Sequence, residues 1–325
     1  MSEPILVTGA AGFIGFHLAR RLLADGRAVH GLDNLNDYYD PALKQARLRE
    51  LGSHANFRFD ACELADRDAV AKVFADRHFA YVVHLAAQAG VAYSAKNPAA
   101  YVDSNLVGFA NILEGCRHGD CRHLVYASSS SVYGANEKMP LQIADRVDEP
   151  LSLYGATKRA NELMAYAYAH LYGLPATGLR FFTVYGPWGR PDMAYWLFTE
   201  AIFAGRPVRL FNDGHMRRDF TYVDDVIEAL VRLIELPPAA ISPPHRLYNV
   251  GNEHPVEVTA LLEILERLIG QRAKRELLPM RAIDVLETFA DSSDLARDTG
   301  FSPRTPIEDG LRAFVTWYRG YRGEK

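Results

Sequence analysis

The stretch Ile5-Leu-Val-Thr-Gly-Ala-Ala-Gly-Phe-Ile-Gly15 decides the fold of this chain. Its first four residues predict a buried strand, and residues 14–25 carry the apolar spacing of a helix. Between the two elements, Gly9 permits a tight turn, Gly12 lets the backbone approach a pyrophosphate, and Gly15 lets the helix pack closely on the strand. The N-terminus of the helix then offers unpaired N–H groups to phosphates. Because the glycines have this strand–turn–helix setting, they predict a dinucleotide-binding unit rather than a simple turn.

Strand and helix patterns alternate through the first half of the chain. Besides the first strand and helix, the sequence predicts strands at 28–33, 56–60, 81–85 and 123–127, and a helix at 98–117. This alternation predicts an α/β fold of the Rossmann type, with a doubly wound parallel sheet.

The sequence pattern changes from about Phe181, where proline and glycine become frequent between shorter helical stretches. This change predicts a smaller, mixed α/β domain at the C-terminus. We therefore expect a dinucleotide-binding domain at 1–180 and a substrate domain at 181–325. Segments around 209–235 and 246–251 are expected to return to the first domain.

The composition excludes several classes of protein. The 325 residues carry a net charge of -4 and a pI near 6.3, so no broad basic field is available for nucleic acid or for an anionic membrane. No apolar run approaches the ~20 residues of a membrane helix, and the N-terminus lacks a signal-peptide pattern. The three cysteines have neither metal-ligand nor disulfide spacing, which predicts reduced thiols in a cytoplasmic enzyme without a metal site.

The end of the second predicted strand indicates which dinucleotide binds. A carboxylate at Asp33 would accept hydrogen bonds from the adenosine ribose hydroxyls. The following loop, 34–40, is acidic and contains neither arginine nor lysine, so it would repel a 2′-phosphate. We therefore predict NAD rather than NADP. Asp60, which closes the third predicted strand, is a candidate either for the adenine amine or for a strand-end cap.

A second constellation carries the chemistry. In Tyr154-Gly-Ala-Thr-Lys158, a phenol and an ammonium lie one helical turn apart on the same face. Because a free tyrosine titrates near ~10, a base that works at neutral pH needs a nearby cation to lower its pKa. Upstream, Ser128-Ser-Ser-Ser-Val-Tyr-Gly134 places hydroxyls at the carboxyl end of a parallel strand, where such sheets bind ligands. With the glycine turn, these residues predict dehydrogenation of an alcohol by the dinucleotide.

These segments resemble the extended short-chain dehydrogenase/reductase family over essentially the whole chain. Within that family the chain is most similar to NAD-dependent nucleotide-sugar epimerases, and among these to the UDP-glucuronate 4-epimerases. The further segments that carry the resemblance are 84–94, 101–109, 180–187, 218–225 and 248–252.

The resemblance implies epimerisation at C4 through a transient 4-keto sugar. It implies that Tyr154 takes the proton of the sugar 4-hydroxyl, that Lys158 binds the nicotinamide ribose and holds the phenolate, and that Ser129 steadies the reacting oxygen. The residues implied to bind the cofactor are Gly9, Gly12, Phe13, Ile14, Gly15, Asp33, Asn34, Asp60, Leu85, Ala86, Ala87, Asn105, Tyr154 and Lys158. The residues expected to bind the UDP-sugar are Ser129, Ser130, Ser131, Thr183, Arg190, Val208, Phe211, Arg217 and Arg281.

Sister enzymes of this family share the first oxidation and diverge at the ketone. Sugar 4,6-dehydratases carry Asp-Glu after the catalytic residue, and UDP-glucuronate decarboxylases carry Glu before Val-Tyr-Gly. This chain has Ser130 and Ser131 in those places, so no carboxylate stands ready for acid–base work there. Hydroxyl donors instead suit a sugar carboxylate that must be held away from alignment with the ketone, since that alignment favours loss of CO₂.

Several alternatives stay open. The substrate could be a neutral UDP-hexose or UDP-pentose, or the reaction could be decarboxylation of UDP-glucuronate. The enzymes that the chain resembles usually have Arg in place of Ala92 and Pro-Gly in place of Ala282-Ile283, which bears on the choice of sugar. A dinucleotide sensor without turnover is disfavoured by the intact Ser129, Tyr154 and Lys158. The helices at 98–117 and 154–172 resemble those of the family's dimer interface, which implies a homodimer.

Overall fold

The computed structural model describes residues 3–281 and 283–323. Ala282, one of the departures from the related enzymes, lies outside the described residues. The chain forms two compact units. Unit 1 comprises the residues up to Gly134 together with 145–181 and 227–248, and unit 2 comprises 135–144, 182–226 and the residues from Asn249 onward.

These bounds differ in detail from the predicted domains. The sequence predicted a division after residue 180, and the chain passes into unit 2 after Phe181. The segment that returns to unit 1 is 227–248, whereas 209–235 and 246–251 were predicted to return. Residues 135–144 belong to unit 2 because Leu141 bridges to Ala290 there. That pairing is between distant parts of the chain and has no local signal.

The strands, in chain order, are β1 Ile5–Thr8, β2 Val29–Asp33, β3 Phe57–Ala61, β4 Tyr81–His84, β5 His123–Ser129, β6 Ala176–Phe181, β7 Thr183–Tyr185, β8 Pro207–Phe211, β9 Arg217–Tyr222, β10 His245–Val250, β11 Pro255–Glu257, β12 Lys274–Leu278 and β13 Glu287–Thr288. The helices are α1 Phe13–Ala24, α2 Pro41–Gly52, α3 Arg67–Asp76, α4 Val91–Ser94, α5 Pro98–Tyr101, α6 Gly108–His118, α7 Leu153–Tyr172, α8 Ala194–Phe203, α9 Val223–Ile234, α10 Val258–Ile269, α11 Ser293–Thr299 and α12 Ile307–Arg322.

Unit 1 is built on a seven-stranded sheet with the order β10-β6-β5-β4-β1-β2-β3. The pairs from β6 across to β3 are all parallel. Every residue of β1 and β2 is buried, as expected for central strands with helices on both faces. The predicted Rossmann-type fold is therefore confirmed. Because parallel strands end at the same edge, the segments that follow β1, β2, β4 and β5 meet there.

One long helix of unit 1 is irregular. It begins after the N-cap Asn97, with Pro98 at its first position, and runs through α5 and α6 without a break. Residues Val102–Val107 between them have π-helical hydrogen bonding, which accommodates an extra residue in the turn. The sequence predicted a helix at 98–117 but carried no signal for this wide turn.

Unit 2 contains smaller sheets and an aromatic core. Strand β9 pairs with β7 and β13 in parallel and with β11 in antiparallel fashion, and β8 pairs with β12 in parallel. Trp196 of α8 packs against Phe314 and Tyr318 of α12, with ring centroids 5.9 and 5.5 Å away. Trp188 and Trp317 are likewise 5.2 Å apart. The three tryptophans of the chain therefore all lie in the packing of unit 2.

A buried carboxylate fixes one edge of unit 2. Asp219 of β9 is fully buried, and its two oxygens accept hydrogen bonds from the N–H groups of Asn252, Glu253 and Ala290 at 2.7, 3.1 and 3.1 Å. The carboxylate thereby satisfies backbone donors of two separate segments.

No helix among the described residues combines the length and the apolar character that crossing a membrane requires.

Candidate active site

The turn between β1 and α1 has no room for side chains at its glycines. A Cβ atom on Gly9 would lie 2.8 Å from the backbone nitrogen of Ala86. A Cβ atom on Gly15 would lie 2.1 Å from the carbonyl oxygen of Gly9, and one on Gly12 would lie 2.9 Å from the same oxygen. Gly9 also has a φ of +72°, in the left-handed region that glycine adopts without a steric penalty. The turn therefore lets bare backbone face a ligand.

The N-terminus of α1 opens onto this turn. Gly12 is its N-cap, and no side chain among the described residues caps the helix. The N–H groups of the first turn, which include those of Phe13 and Ile14, have no partner within the helix. Together with the partial positive charge of the helix end, they favour a phosphate. This geometry fits the pyrophosphate of a dinucleotide.

Asp33, the last residue of β2, lies beside the glycine turn. Its Oδ2 atom accepts a hydrogen bond of 3.2 Å from the N–H of Ala11, and its Oδ1 atom accepts one of 2.9 Å from the N–H of Leu35. A carboxylate has about four lone-pair sites, so acceptor capacity remains for ribose hydroxyls.

Two cations that the sequence reasoning missed lie next to Asp33. The Lys44 Nζ atom is 3.8 Å from Asp33 Oδ1 and 2.8 Å from the side-chain oxygen of Asn36. Arg47, which is fully buried, donates to the carbonyl of Ala11 at 2.7 Å. Burial lowers the pKa of Lys44. The surroundings of Asp33 are therefore less negative than the sequence of loop 34–40 predicted, because the helix that follows the loop brings two cations to this end of the strand.

A sequence signal for that helix was present. Asp40 is the N-cap of α2, where its side chain accepts the N–H of Ala42 at 2.9 Å, and Pro41 takes the first helical position. An acidic N-cap followed by proline is a recognised helix start. Lys44 and Arg47 then lie one helical turn apart, on the face that returns to the strand end.

Two other residues that were expected to bind the cofactor, Asn34 and Asp60, have protein partners. The amide of Asn34 donates to Glu63 Oε2 at 2.7 Å. Asp60 is exposed, and its Oδ2 atom lies 2.8 Å from Nε2 of the buried His30. One Asp60 oxygen is thus oriented by a histidine.

The segment after β4 is pinned against the glycine turn. The Thr8 hydroxyl lies 2.9 Å from His84 Nδ1 and accepts the N–H of Ala86 at 3.2 Å. Burial, followed by the charge of Lys158, lowers the pKa of His84 to about 3, so this imidazole is neutral. His84 therefore acts as a packed hydrogen-bonding residue. Leu85, Ala86 and Ala87 leave the strand directly over the turn.

Asn105 is the residue that the π-helical segment delivers to the site. Its side chain accepts the N–H of Gln88 at 2.8 Å and donates to the carbonyl of Gln88 at 3.1 Å. Its second amide proton goes to the Thr157 hydroxyl at 3.0 Å, and its own carbonyl accepts from Asn161 at 2.6 Å. Both side-chain protons of Asn105 are thus used within the protein. The residue clamps the segment after β4 to α7.

Tyr154 and Lys158 lie one turn apart on α7, as the sequence predicted. Lys158 is 1% exposed, and its Nζ atom donates to the carbonyl of Ala127 at 2.9 Å. Burial lowers the pKa of Lys158 to about 8, so the side chain stays mainly cationic at neutral pH. Tyr154 is partly exposed and its ring meets that of Tyr101 edge-on at 6.1 Å.

The serine run lies where α7 begins. Ser129 ends β5 and is buried, and Ser130 and Ser131 start a 3₁₀ turn in which they are partly exposed. The Ser129 hydroxyl accepts the N–H of Ser131 at 3.1 Å. A Cβ atom on Gly155, next to Tyr154, would lie 2.5 Å from the carbonyl oxygen of Ser131. The backbone of the serine run therefore packs closely against the first turn of α7, next to Tyr154 in the chain.

A buried ion-pair network underlies both elements, and sequence reasoning missed it. Glu162 follows Lys158 by one turn of α7, and its Oε1 atom accepts the Ser128 hydroxyl at 2.6 Å and Arg180 Nε at 2.8 Å. Its Oε2 atom accepts Arg180 and Arg159 at 2.9 and 3.0 Å. We call Glu162, Arg180, Arg159 and Ser128 the buried ion-pair network.

The remaining predicted residues lie in unit 2. Val208 and Phe211 are on β8, where Val208 is fully buried and Phe211 is partly exposed. The guanidinium of Arg281 lies 4.3 Å from the centroid of the Phe211 ring, which brings two predicted nucleotide-binding residues together. Thr183 begins β7 and is partly exposed.

Each predicted substrate arginine has a carboxylate partner. Arg190 makes hydrogen bonds of 3.0 and 2.6 Å to Asp192. Arg217 pairs with Glu287 at 2.8 Å, and Arg281 makes bonds of 2.7 and 2.8 Å to Asp284. A guanidinium carries five N–H donors, which is more than these carboxylate bonds use.

Comparison with known proteins shows the family to which the chain belongs. The model of the NAD dependent epimerase/dehydratase family matches residues 5–251. The chain belongs to this family. It is accordingly an enzyme with NAD as its cofactor, and the glycine turn, the open end of α1 and Asp33 fit that cofactor.

Relatives within the family refine the comparison. The chain is 47% identical to a probable UDP-glucuronate 4-epimerase of Rhizobium meliloti, over 98% of this chain and 97% of that protein. It is 46% identical to UDP-glucuronate 4-epimerase 3 of Arabidopsis thaliana, over 98% of this chain and 76% of that protein. The crystal structure of UDP-glucuronic acid 4-epimerase from Bacillus cereus, in complex with UDP-glucuronic acid and NAD, matches with a TM-score of 0.91 at 32% identity, covering 98% of this chain and 99% of that one.

Proposed function

We propose that this chain converts UDP-glucuronate to UDP-galacturonate by epimerisation at C4. The observation that carries the proposal is that the serine run 128–131 packs, through the backbone of Ser131, against the start of the helix that bears Tyr154 and Lys158. The run supplies hydroxyl donors and no carboxylate at the place where the sugar ring would react. The relatives from Rhizobium meliloti and Arabidopsis thaliana, which are 47% and 46% identical to this chain over the aligned residues, support the same choice.

The proton-transfer step falls to Tyr154. When bound, NAD accepts the hydride from C4 and returns it to the opposite face of the sugar. The phenolate of Tyr154 takes the proton of the 4-hydroxyl as the carbonyl forms and gives it back on reduction. The buried cation of Lys158 stabilises that phenolate, and the Ser129 hydroxyl hydrogen-bonds the reacting oxygen.

Recognition of the acid falls to short hydroxyls. Ser130 and Ser131 would donate to the sugar carboxylate and hold it away from the plane that favours loss of CO₂. Unit 2 would hold the nucleotide, with Phe211 under the base and with Arg217 and Arg281 at the diphosphate.

The test is a product analysis. The purified chain incubated with UDP-glucuronate should give a mixture with UDP-galacturonate, resolved by ion-exchange chromatography. UDP-glucose, UDP-xylose and their 4-epimers form the comparison panel, so a neutral-sugar enzyme or a decarboxylase would reveal itself by its product. Tyr154→Phe should retain NAD and lose conversion by at least ~100-fold, because a positioned acid–base group contributes about that much. Undiminished conversion by this variant would remove Tyr154 as the base.

We also propose a homodimer in the cytoplasm. The helix α7 exposes Leu163, Tyr166 and Leu171, with 55%, 50% and 66% of each residue accessible, and Val102 of the neighbouring helix is 41% exposed. Such a row of apolar side chains suits a second copy of the chain. Light scattering should give twice the chain mass, and Leu163→Lys should shift the measured mass towards that of the monomer; a monomeric wild type would contradict the proposal.

The three buried free thiols suit a reducing compartment such as the cytoplasm.

A further inference from the structure

Two tyrosines that follow different strands of unit 1 are in contact. The ring of Tyr38, in loop 34–40 after β2, lies 4.8 Å from the ring of Tyr93, in α4 after β4. In the sheet, β1 lies between β2 and β4. The contact therefore joins the two segments that flank the glycine turn, across the carboxyl end of β1.

The β2 side of this contact is anchored to the glycine turn. Lys44 donates to the side chain of Asn36 at 2.8 Å, within the loop. Arg47 donates to the Tyr39 hydroxyl at 2.8 Å and to the carbonyl of Ala11 at 2.7 Å. The buried guanidinium of Arg47 thus joins the loop to Ala11 of the glycine turn.

The β4 side is equally fixed. The Tyr101 hydroxyl donates to the carbonyl of Ala89 at 2.9 Å, and Asn105 holds both backbone groups of Gln88. The fully buried Tyr101 ring lies 6.3 Å from that of Tyr93 and 6.1 Å from that of Tyr154. The tyrosines therefore form a chain of rings from loop 34–40 to the residue proposed as the base.

We propose that Tyr38 and Tyr93 form a strap that crosses the bound dinucleotide at its pyrophosphate and retains NAD through successive turnovers. A pyrophosphate at the glycine turn would lie between the two anchored segments, so the rings must part before the dinucleotide leaves. Retention suits a reaction that regenerates its cofactor in each cycle. The inference depends on the NAD site of unit 1 and not on the identity of the sugar.

The experiment measures release of the cofactor in the absence of any sugar. The protein is loaded with NADH, mixed with a large excess of NAD, and followed by loss of the fluorescence of bound NADH. Tyr38→Ala and Tyr93→Ala should each release NADH about tenfold faster than wild type, since an aromatic pair and its buried area contribute about that factor. The matched variants Tyr38→Phe and Tyr93→Phe keep the rings and should release at the wild-type rate.

The double variant decides whether the rings act as one pair. Tyr38→Ala with Tyr93→Ala should release NADH no faster than the quicker single variant, because either change already breaks the contact. Multiplied effects in the double variant, wild-type release from the alanine variants, or fast release from the phenylalanine variants would each overturn the proposal. If an alanine variant lacks the native circular dichroism, the leucine substitution at the same position keeps apolar bulk without a ring and takes its place. Conversion of another sugar would reject the proposed function and leave this measurement intact.

Discussion

The substitution Glu162→Gln measures how far unit 1 depends on its buried ion-pair network. The side chains of Glu162 and Arg180 are each 1% exposed and are joined by hydrogen bonds of 2.8 and 2.9 Å. Glutamine keeps the shape, but it turns one acceptor into an amide that faces N–H donors and leaves the Arg180 cation without its counterion. Removing one partner of a buried pair costs about 3–5 kcal/mol. For a unit of this size the melting temperature should fall by about 10 °C.

The assay is urea unfolding followed by far-UV circular dichroism at neutral pH, with Glu228→Gln as the control. Glu228 is also a glutamate of unit 1 held by two arginines, with distances of 3.0 Å to Arg21 and 2.7 Å to Arg232, but its side chain is 26% exposed. Solvent screening should keep the cost of that substitution below about 1 kcal/mol. Equal losses from the two variants would refute the assignment of stability to the buried network.

The pH dependence of the unfolding free energy provides a second test of the stabilisation by Glu162. Burial by itself raises the pKa of Glu162, but the hydrogen bonds and charge of Arg180, with the bonds from Ser128 and Arg159, leave that pKa below its ordinary value. The unfolded chain then binds more protons than the folded one, so this stabilisation is present above pH ~4.3 and is lost as the pH falls through the folded-state pKa. The difference in unfolding free energy between wild type and Glu162→Gln should narrow in acid. A constant difference down to pH ~3 would contradict the argument.

Three further substitutions test other parts of the structure. Gly15→Ala forces a Cβ atom to within 2.1 Å of a carbonyl oxygen and should weaken NAD binding about tenfold or more in a fluorescence titration, whereas Gly52→Ala, with nothing within 4 Å, should not. Ser131→Glu should raise the KM for UDP-glucuronate about tenfold or release CO₂, because it places a carboxylate against the sugar acid; an unchanged KM and product would remove Ser131 from the site. In Asp219→Asn, an NH₂ group replaces one of the two oxygens that accept backbone N–H groups. The substitution should therefore lower the free energy of unfolding by about 2–4 kcal/mol. Tryptophan fluorescence reports this loss because all three tryptophans are in unit 2, and an unshifted urea midpoint would count against it.

The fold of unit 1 could be predicted because its signals are local. Buried parallel strands are short apolar runs, so the predicted strand at 81–85 lies within one residue of the observed Tyr81–His84. The predicted strand at 123–127 ends two residues early, since Ser128 and Ser129 remain in the ladder opposite β6. Polar side chains hid that extension from a pattern based on hydrophobicity.

The geometry of the candidate site was predictable where spacing along one element decides it, as for the separation of Tyr154 and Lys158 by one turn of α7. It was not predictable where partners come from separate elements. Lys44 reaches Asp33 only because α2 turns back over the strand end. Glu162 lies at the next position of the same helical face as Lys158, but its role depends on Arg180, which β6 supplies. The residues adjacent in sequence to each partner do not indicate these contacts between separate elements.

The wide turn at Val102–Val107 sets the rotational phase of the helix beyond it. One residue of a regular α-helix rotates the chain by ~100°. If the surplus residue were deleted, α6 would turn by that angle, and Phe109, Ile112 and Leu113 would swing out of the hydrophobic cluster in which they are now buried. A helix without the wide turn could therefore present either Asn105 to α7 or these side chains to the hydrophobic cluster, but not both. The wide turn allows the same helix to make both sets of contacts.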